Sequence, residues 1–461
     1  MDYGNSALIK LMRSKSIISI NRFCLKESEL WYSSKDKTEL MKHHLCPHEL
    51  AYIQYLTLLY SDKIDNENYL SPKYLNKLAH EMSKFRKEQQ INNLKSKNFT
   101  EFLDFYASEQ TIFQIDSLDY VYDMQRMDFI LNNCAPAEKE KQIDIDSIIR
   151  NNGYSSFERM FKSCLYLAFL AIDDIPRFEK TISSPCPSNY LKPDLGKTLE
   201  SLSIPLNQEC RRRFSYYDFL FEKPLLLFRN KYYLVDQKLF FRSLSNFQYN
   251  VIKKNGPKSF TSLFGKYFEN YLKKFLQNYL SSDSFHKIPE SSVKTPDWII
   301  KFKDYIFVVE QKSGLKPRET YNSSSPDSPN LINNYINNNL YEHAGKQLSN
   351  YKTNSKKTVI RIALTLEMIF SAYEIEDNLI KKYKNDYWVC TISDFEKIIE
   401  LSKTDEKLFN QIIEEKHCLD LQFANKGRSL KELLQKHECN NYPDFLRHLM
   451  LKNIDDAKKD L

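Results

Sequence analysis

Between residues 262 and 402 the chain switches between helical and strand patterning in the order helix, strand, strand, helix, strand, strand, helix. That order constrains the fold more than any other feature, because it points to a mixed sheet flanked by helices. The first helix runs from about Ser262 to Tyr279 and carries Phe264, Phe268, Tyr271, Leu272, Phe275 and Tyr279 on one face. Two strands follow within 296–312, joined by a tight turn near Lys303-Asp304. Residues 320–340 are rich in Ser and Asn and read as a loop. A helix around 341–352 and a strand over 358–366 come next. Residues 387–402 then read as a strand followed by a helix, with Ser393 as its cap and Glu396 three residues on.

The flanking segments have a different texture. Residues 1–210 read mainly helical, with apolar residues at helical spacing in 47–63 and 156–175 and less cleanly in 117–133. The proline-containing segment 183–194 marks a loop or boundary, and 223–236 reads as a hairpin around Arg229-Asn230-Lys231. The tail, 403–461, is helical and polar. A chain of 461 residues is long for one core. The expected fold is therefore α/β: a mixed-sheet core in 211–402 with a leading β-hairpin, a large mainly α-helical region in 1–210, and a short helical extension in 403–461. No internal repeat is visible.

Several function classes find no support. No Gly-rich phosphate loop of the GxxxxGKS type occurs, which speaks against a nucleotide triphosphatase. No G-x-S-x-G elbow points to a serine hydrolase. The longest apolar run, 164–172, falls far short of the about 20 residues that span a bilayer, so no membrane segment is expected. Nine scattered cysteines without a CxxC pair fit a reducing, cytoplasmic setting. The formal net charge is +7, with 22 Lys and Arg against 17 Asp and Glu between 251 and 400. That balance suits a polyanionic partner without demanding one.

The chemistry concentrates in "TPDWIIKFKDYIFVVEQKSG", residues 295–314. Alternate residues of a strand share a face, so Glu310 and Lys312 point together and Gln311 turns away. The tight turn brings Asp297 beside Glu310. Two close carboxylates repel, and a hard divalent cation relieves the conflict by taking their oxygens, waters and a substrate phosphate as ligands. Lys312 beside such an ion is placed to orient a water for attack on phosphorus.

These residues resemble the PD-(D/E)XK nuclease superfamily: Pro296-Asp297, twelve intervening residues, then Glu310-Gln311-Lys312. The resemblance covers roughly 262–400 and implies a restriction-endonuclease-like core, with Asp297 and Glu310 as metal ligands, the Gln311 backbone carbonyl as a further ligand, and Lys312 as the catalytic amine. It also implies an extra acidic residue on the preceding helix, matched by Glu269 as a further metal-binding and catalytic acid, and a Q-x-x-x-Y element, matched by Gln347 and Tyr351 at i, i+4, with Gln347 a catalytic residue touching phosphate or Lys312, or else capping a neighbouring group. The implied cofactor is Mg²⁺, with Mn²⁺ able to substitute, and the implied products carry a 5′-phosphate and a 3′-hydroxyl.

The short motif alone is not specific. Pro-Asp recurs at Asp194, Asp327 and Asp444, and Asp236-Gln237-Lys238 is an acid-x-Lys copy after an apolar run. That copy lacks a preceding acidic helix and a following Gln/Tyr helix. His43, His44, Cys46 and His48, or His417-Cys418 with His437 and Cys439, form candidate zinc ligands whose spacing fits no standard finger. Arg211-Arg212-Arg213 and Lys352, Lys356, Lys357 and Arg361 are candidate phosphate contacts. The expected function is Mg²⁺-dependent phosphodiester hydrolysis by a DNA endonuclease, with restriction or phage-defence effectors as the analogy. RNA cleavage and a catalytically silent nucleic-acid-binding module remain alternatives. Residues 1–210 are left for target recognition, regulation, a protein partner or homo-oligomer contact.

Overall fold

The computed structural model describes residues 7–37, 39–40, 44–64, 70–94, 113, 115–184, 191–207, 214–289, 295–314, 334–367, 372–384, 386–421, 429–439 and 441–459. It is a mixed α/β chain with two mixed sheets. The smaller sheet orders β1 (Ser203–Pro205), β2 (Leu225–Phe228) and β3 (Lys231–Leu234), with β1 parallel to β2 and β2 antiparallel to β3. The hairpin predicted over 223–236 is β2–β3. Its turn uses Arg229 and Asn230 at φ 50° and 62°, the left-handed pair that matches the twist of a two-residue hairpin.

The larger sheet runs in the order β4 (Phe285–Lys287), β5 (Trp298–Lys301), β6 (Tyr305–Lys312), β7 (Thr358–Thr365) and β8 (Asp386–Thr391). The first three strands pair antiparallel and the last three parallel. Its two faces follow the period of two. Tyr305, Phe307 and Val309 of β6 join the main core with Phe264, Phe268 and Phe275 of helix Phe260–Tyr279. Ile306 and Val308 point the other way, against Leu340, Leu348 and Leu379. β6 is covered on both sides, which is why it is an unbroken apolar run until its last three residues.

Several expectations need correction. The hairpin 223–236 lies in a separate sheet from the strands that follow it. β4 and the helix Ala372–Tyr383 were not anticipated. The cap of helix Ile392–Thr404 is Thr391, whose hydroxyl accepts from the Asp394 amide, and not Ser393. Glu396 is fully buried rather than capping. The helix expected over 341–352 is a π-helical stretch, Asn337–Gly345, followed by one short α turn, Lys346–Ser349. Its start also means that the Asn-rich end of the 320–340 segment is helical from 334 on; residues 315–333 and 211–213 lie outside the described residues. The tail is helical as expected, but it is not merely polar surface: Phe409, Ile412, Leu430, Leu433 and Leu446 are buried.

One apolar cluster draws on all three expected segments, from Tyr120 through Phe275 and Phe307 to Leu434. Inside it lies a polar tie. Arg126, on helix Ser117–Asn133, donates from Nε and Nη2 to both oxygens of Glu396 at 2.8 and 2.7 Å. The Tyr271 hydroxyl, from helix Phe260–Tyr279, donates to the same carboxylate. Arg126 and Glu396 are 3% and 0% exposed. Removing one member of such a pair leaves a buried charge without compensation, at a cost of about 3–5 kcal/mol. Arg126→Met should therefore lower the unfolding free energy by about that amount, read from urea denaturation; a loss below about 1 kcal/mol would show that Glu396 finds another partner.

Candidate active site

The pairing of β5 with β6 decides where the acids fall. Trp298 stands opposite Val309, and Asp297 donates its amide to the Val309 carbonyl at 3.0 Å. One step further along that register, Asp297 stands opposite Glu310. Trp298 and Val309 face the main core while Ile299 and Val308 face the other cluster, so Asp297 and Glu310 share the second face by alternation. The two-residue turn Lys303-Asp304, closed by the Phe302 amide on the Tyr305 carbonyl at 2.9 Å, fixes this register.

Lys312, two residues past Glu310 on the same face, donates to Glu310 Oε1 at 2.7 Å and to Gln347 Oε1 at 3.3 Å. An ammonium has three hydrogens, so one remains for a water or a substrate oxygen. Gln347 is itself held, since its Nε2 donates to the Thr295 carbonyl at 3.2 Å. Thus Gln347 ties the lysine to the residue two before Asp297. Its helical turn is pressed against helix Ala372–Tyr383 by Gly345: a Cβ there would lie 2.5 Å from Leu379 Cδ2. Tyr351 lies beyond the end of the turn, not on a shared helical face with Gln347.

Glu310 Oε2 is buried and accepts no hydrogen bond among the described residues. Burial, and next the Asp297 charge opposite, push the Glu310 carboxyl up to about 8; the Lys312 ammonium pulls the other way. Burial also raises Asp297, against the pull of the Gln311 amide, which donates to Asp297 Oδ2 at 2.7 Å. A buried carboxylate oxygen with nothing to accept calls for a proton or a cation. In a strand the amide and carbonyl of one residue point to the same edge, so the Gln311 carbonyl also faces the Asp297 side. Two carboxylates and a carbonyl are hard oxygen donors, and such a set fits Mg²⁺ or Mn²⁺.

The Gln311 side chain turns to the opposite face, as expected. It accepts from the Trp298 indole at 2.7 Å and donates to the Phe268 carbonyl at 3.2 Å, which pins helix Phe260–Tyr279 to the strand end. Gly265 on this helix comes close to Ser313, with 3.3 Å between a Cβ there and Ser313 Oγ. Glu269 stands one turn later, near enough to raise both Asp297 and Glu310. It is not a third carboxylate of one cluster. Its oxygens take Lys266 at 3.2 Å and Lys287, and among the described residues no three His, Cys, Asp or Glu side chains gather as a metal site. Lys287 was missed because it sits on β4, a strand of three residues with little apolar signal.

The competing motifs resolve into structural roles. Asp236 is the buried N-cap of helix Gln237–Ser245, accepting from the Lys238 and Leu239 amides and the Tyr32 hydroxyl. His44 pairs with Glu27, His437 with Glu415 and His417 with Asp386, while Cys46 begins a helix; His43 lies outside the described residues. Arg361 is buried and donates to the Leu348 and Tyr351 carbonyls, so it holds the Gln347 turn rather than phosphate. Lys357 donates to the Phe302 carbonyl at 2.6 Å, whereas Lys352 and Lys356 are exposed. No helix among the described residues is long and apolar enough to cross a membrane. Comparison with protein-family models, curated proteins and solved structures finds no match to this chain.

The raised Glu310 has a consequence for stability. The folded state keeps its proton up to about pH 8, whereas the unfolded chain releases it near 4.5. The folded state then binds more protons between those values, so this carboxyl's contribution is full below pH 4.5 and is lost as pH rises to about 8. In metal-free protein the melting temperature should fall over that window, and Glu310→Gln should flatten the fall. Adding Mg²⁺ should restore more stability at pH 8.5 than at pH 6, because the ion competes with the proton. An identical Mg²⁺ response at both pH values would contradict the assignment.

Proposed function

We propose that the chain is a divalent-metal-dependent phosphodiesterase that cleaves DNA as an endonuclease, built on a restriction-endonuclease-like core of the PD-(D/E)XK kind over residues 262–400. The observation that carries this reading is the cross-strand placement of Asp297 opposite Glu310, with Lys312 on the same face and hydrogen-bonded to Glu310. An isolated structural ion pair would not need the second carboxylate there. Glu310 Oε2, which accepts no hydrogen bond among the described residues, adds to the argument, since it is the atom a cation would satisfy.

In this reading Asp297, Glu310 and the Gln311 carbonyl hold the ion. When bound, the ion neutralises charge on the phosphate oxygens as the bond to the leaving oxygen breaks. The chain's own residues do the positioning. Lys312, fixed by Glu310 and Gln347, holds the attacking water through its remaining N–H. The water oxygen bonds to phosphorus and gives up a proton to solvent. The 3′-oxygen leaves and takes one up, giving a 5′-phosphate and a 3′-hydroxyl. Gln347 touches neither water nor phosphate and acts through Lys312. Glu269 holds Lys266 and Lys287 at the rim, next to the path of a polyanion. The helical region 1–210 supplies target recognition or partner contact, and restriction or phage defence is the setting proposed.

Incubation of duplex DNA, single-stranded DNA and RNA with the protein and Mg²⁺ or Mn²⁺ tests the reading. Duplex DNA should be cut, and Asp297→Ala and Lys312→Ala should each slow cutting by about 10²–10⁴-fold while the far-UV spectrum stays unchanged. Gln347→Ala should cost less, about 10–100-fold, as befits a residue that orients another. Full-rate cutting by Asp297→Ala, or no cutting of any substrate by the wild type, would overturn the proposal. Cutting of RNA alone would reassign the substrate.

A further inference from the structure

Helix Pro72–Leu94, in the N-terminal region, has two faces of opposite character. One is docked. Leu78 and Met82 are 0% exposed and pack with Leu8 and Met12 of helix Ala7–Arg13, and the Tyr74 hydroxyl donates to the Leu11 carbonyl at 3.0 Å. The other face is basic. Lys73, Lys77, His80 and Lys84 follow one another at steps of four, three and four residues, and all are exposed. At about 100° per residue they lie within about 60° of arc, opposite Leu78 and Met82. None of them makes a hydrogen bond or ion pair among the described residues. Glu81 lies within one turn of Lys77 and Lys84 yet bonds neither.

Helix stability does not account for this stripe. Lys73 stands in the first turn, where the helix dipole disfavours a cation, and that turn has no acid. Lys73 and Lys77 are like charges four residues apart, which also weakens a helix. Elsewhere the chain balances surface lysines within a helix, as in Glu158–Lys162 and Asp377–Lys381. Across 72–94 five Lys and Arg stand against Glu81 and Glu88. The exposed side chains between the basic ones, Asn76 and Ser83, offer no ring for a base to stack on and no apolar tip to enter lipid. Tyr74, Leu78 and Met82, which could do either, point inward.

We propose that this face lies along the phosphate backbone of duplex DNA and adds affinity for the substrate of the candidate active site. The choice of duplex DNA rests on the nuclease reading above. From Lys73 to Lys84 the stripe covers about 16 Å at about 1.5 Å per residue, the rise of about five phosphates of one strand. A lysine ammonium meets phosphate as a point charge without a fixed angle, so it grips the backbone and reads no base. A phosphate beside Lys73 also complements the helix dipole that the lysine opposes. Each phosphate neutralised releases counterions, so the grip weakens steeply with salt.

Fluorescence anisotropy of a labelled DNA duplex with the full chain tests it, in EDTA because backbone contacts of this kind need no metal. Lys73→Gln, Lys77→Gln and Lys84→Gln together should weaken binding at least tenfold at about 100 mM salt and make the slope of log affinity against log salt shallower by about 2–3. Their melting temperature should match the wild type, since all three side chains are exposed. Lys180→Gln, Lys407→Gln and Lys452→Gln together remove the same charge from exposed positions on other helices and should change affinity less than threefold. The proposal is overturned if the stripe variant binds duplex like the wild type, if the control variant loses as much, or if the wild type binds no duplex. Wild-type binding to phosphatidylserine vesicles in preference to duplex, lost in the stripe variant, also overturns it and gives the face to a membrane. Cutting in Mg²⁺ is a separate readout. A wild type that binds duplex through the stripe and cuts nothing upholds this inference while the nuclease reading fails. A wild type that cuts, beside a stripe variant that binds normally, does the reverse.

Discussion

The antiparallel register of β5 with β6 is the constraint on which the candidate site depends. It sets Asp297 against Glu310 at the end of two buried strands, where neither carboxylate has water enough to ionise freely. A register slip of one residue would send Glu310 and Lys312 into the main core and Gln311 out. The protein guards against that slip with side chains as well as with the ladder. The Gln311 amide group bridges the Trp298 indole and the Phe268 carbonyl, and the Gln311 backbone amide holds Asp297. Each of these bonds exists in one register only. The candidate site is therefore pinned in part from the face opposite its two carboxylates.

Much of this was legible before any coordinates. Strand alternation put Glu310 and Lys312 on one face, and the Lys303-Asp304 turn put Asp297 beside them, because both follow from backbone geometry that every strand obeys. Gln347 was singled out by resemblance and not by local pattern, and its bond to Lys312 rather than to phosphate is what the structure adds. What could not be read was set by tertiary packing. β4 is too short to carry periodicity. The pitch of the segment before Gln347 depends on Gly345 meeting Leu379 and Tyr383, a contact between residues far apart in sequence. The partners of Glu269 were hidden for the same reason, since Lys287 reaches it only once β4 has joined the sheet.

Glu396 is the clearest case of a local signal overridden. Its place three residues after a serine looked like a helix-start device, yet the carboxylate is sunk in the core and shared by Arg126 and Tyr271. The partners come from the helical N-terminal region and from the helix that also carries Glu269. A polar contact of this kind, like the apolar cluster around it, crosses the boundaries that composition suggested at 210 and 402. Texture along a sequence marks changes of secondary structure well. It is a poor guide to where one hydrophobic interior stops.

The wide-pitched turn Asn337–Gly345 carries a consequence of its own. A π-helical stretch is ordinary helix holding a surplus residue, and such a surplus persists where surroundings hold it. Each residue of an α-helix turns about 100° around the axis. Losing one residue from this stretch would relax it to common pitch and rotate everything on one side of the deletion by about that angle. Either Leu340 would leave its apolar pocket or Gln347 would swing off Lys312. Chain length in this short stretch is thus tied to the aim of an amide that lies beyond it, and sequences built on this plan should tolerate exchange of its residues far better than their omission.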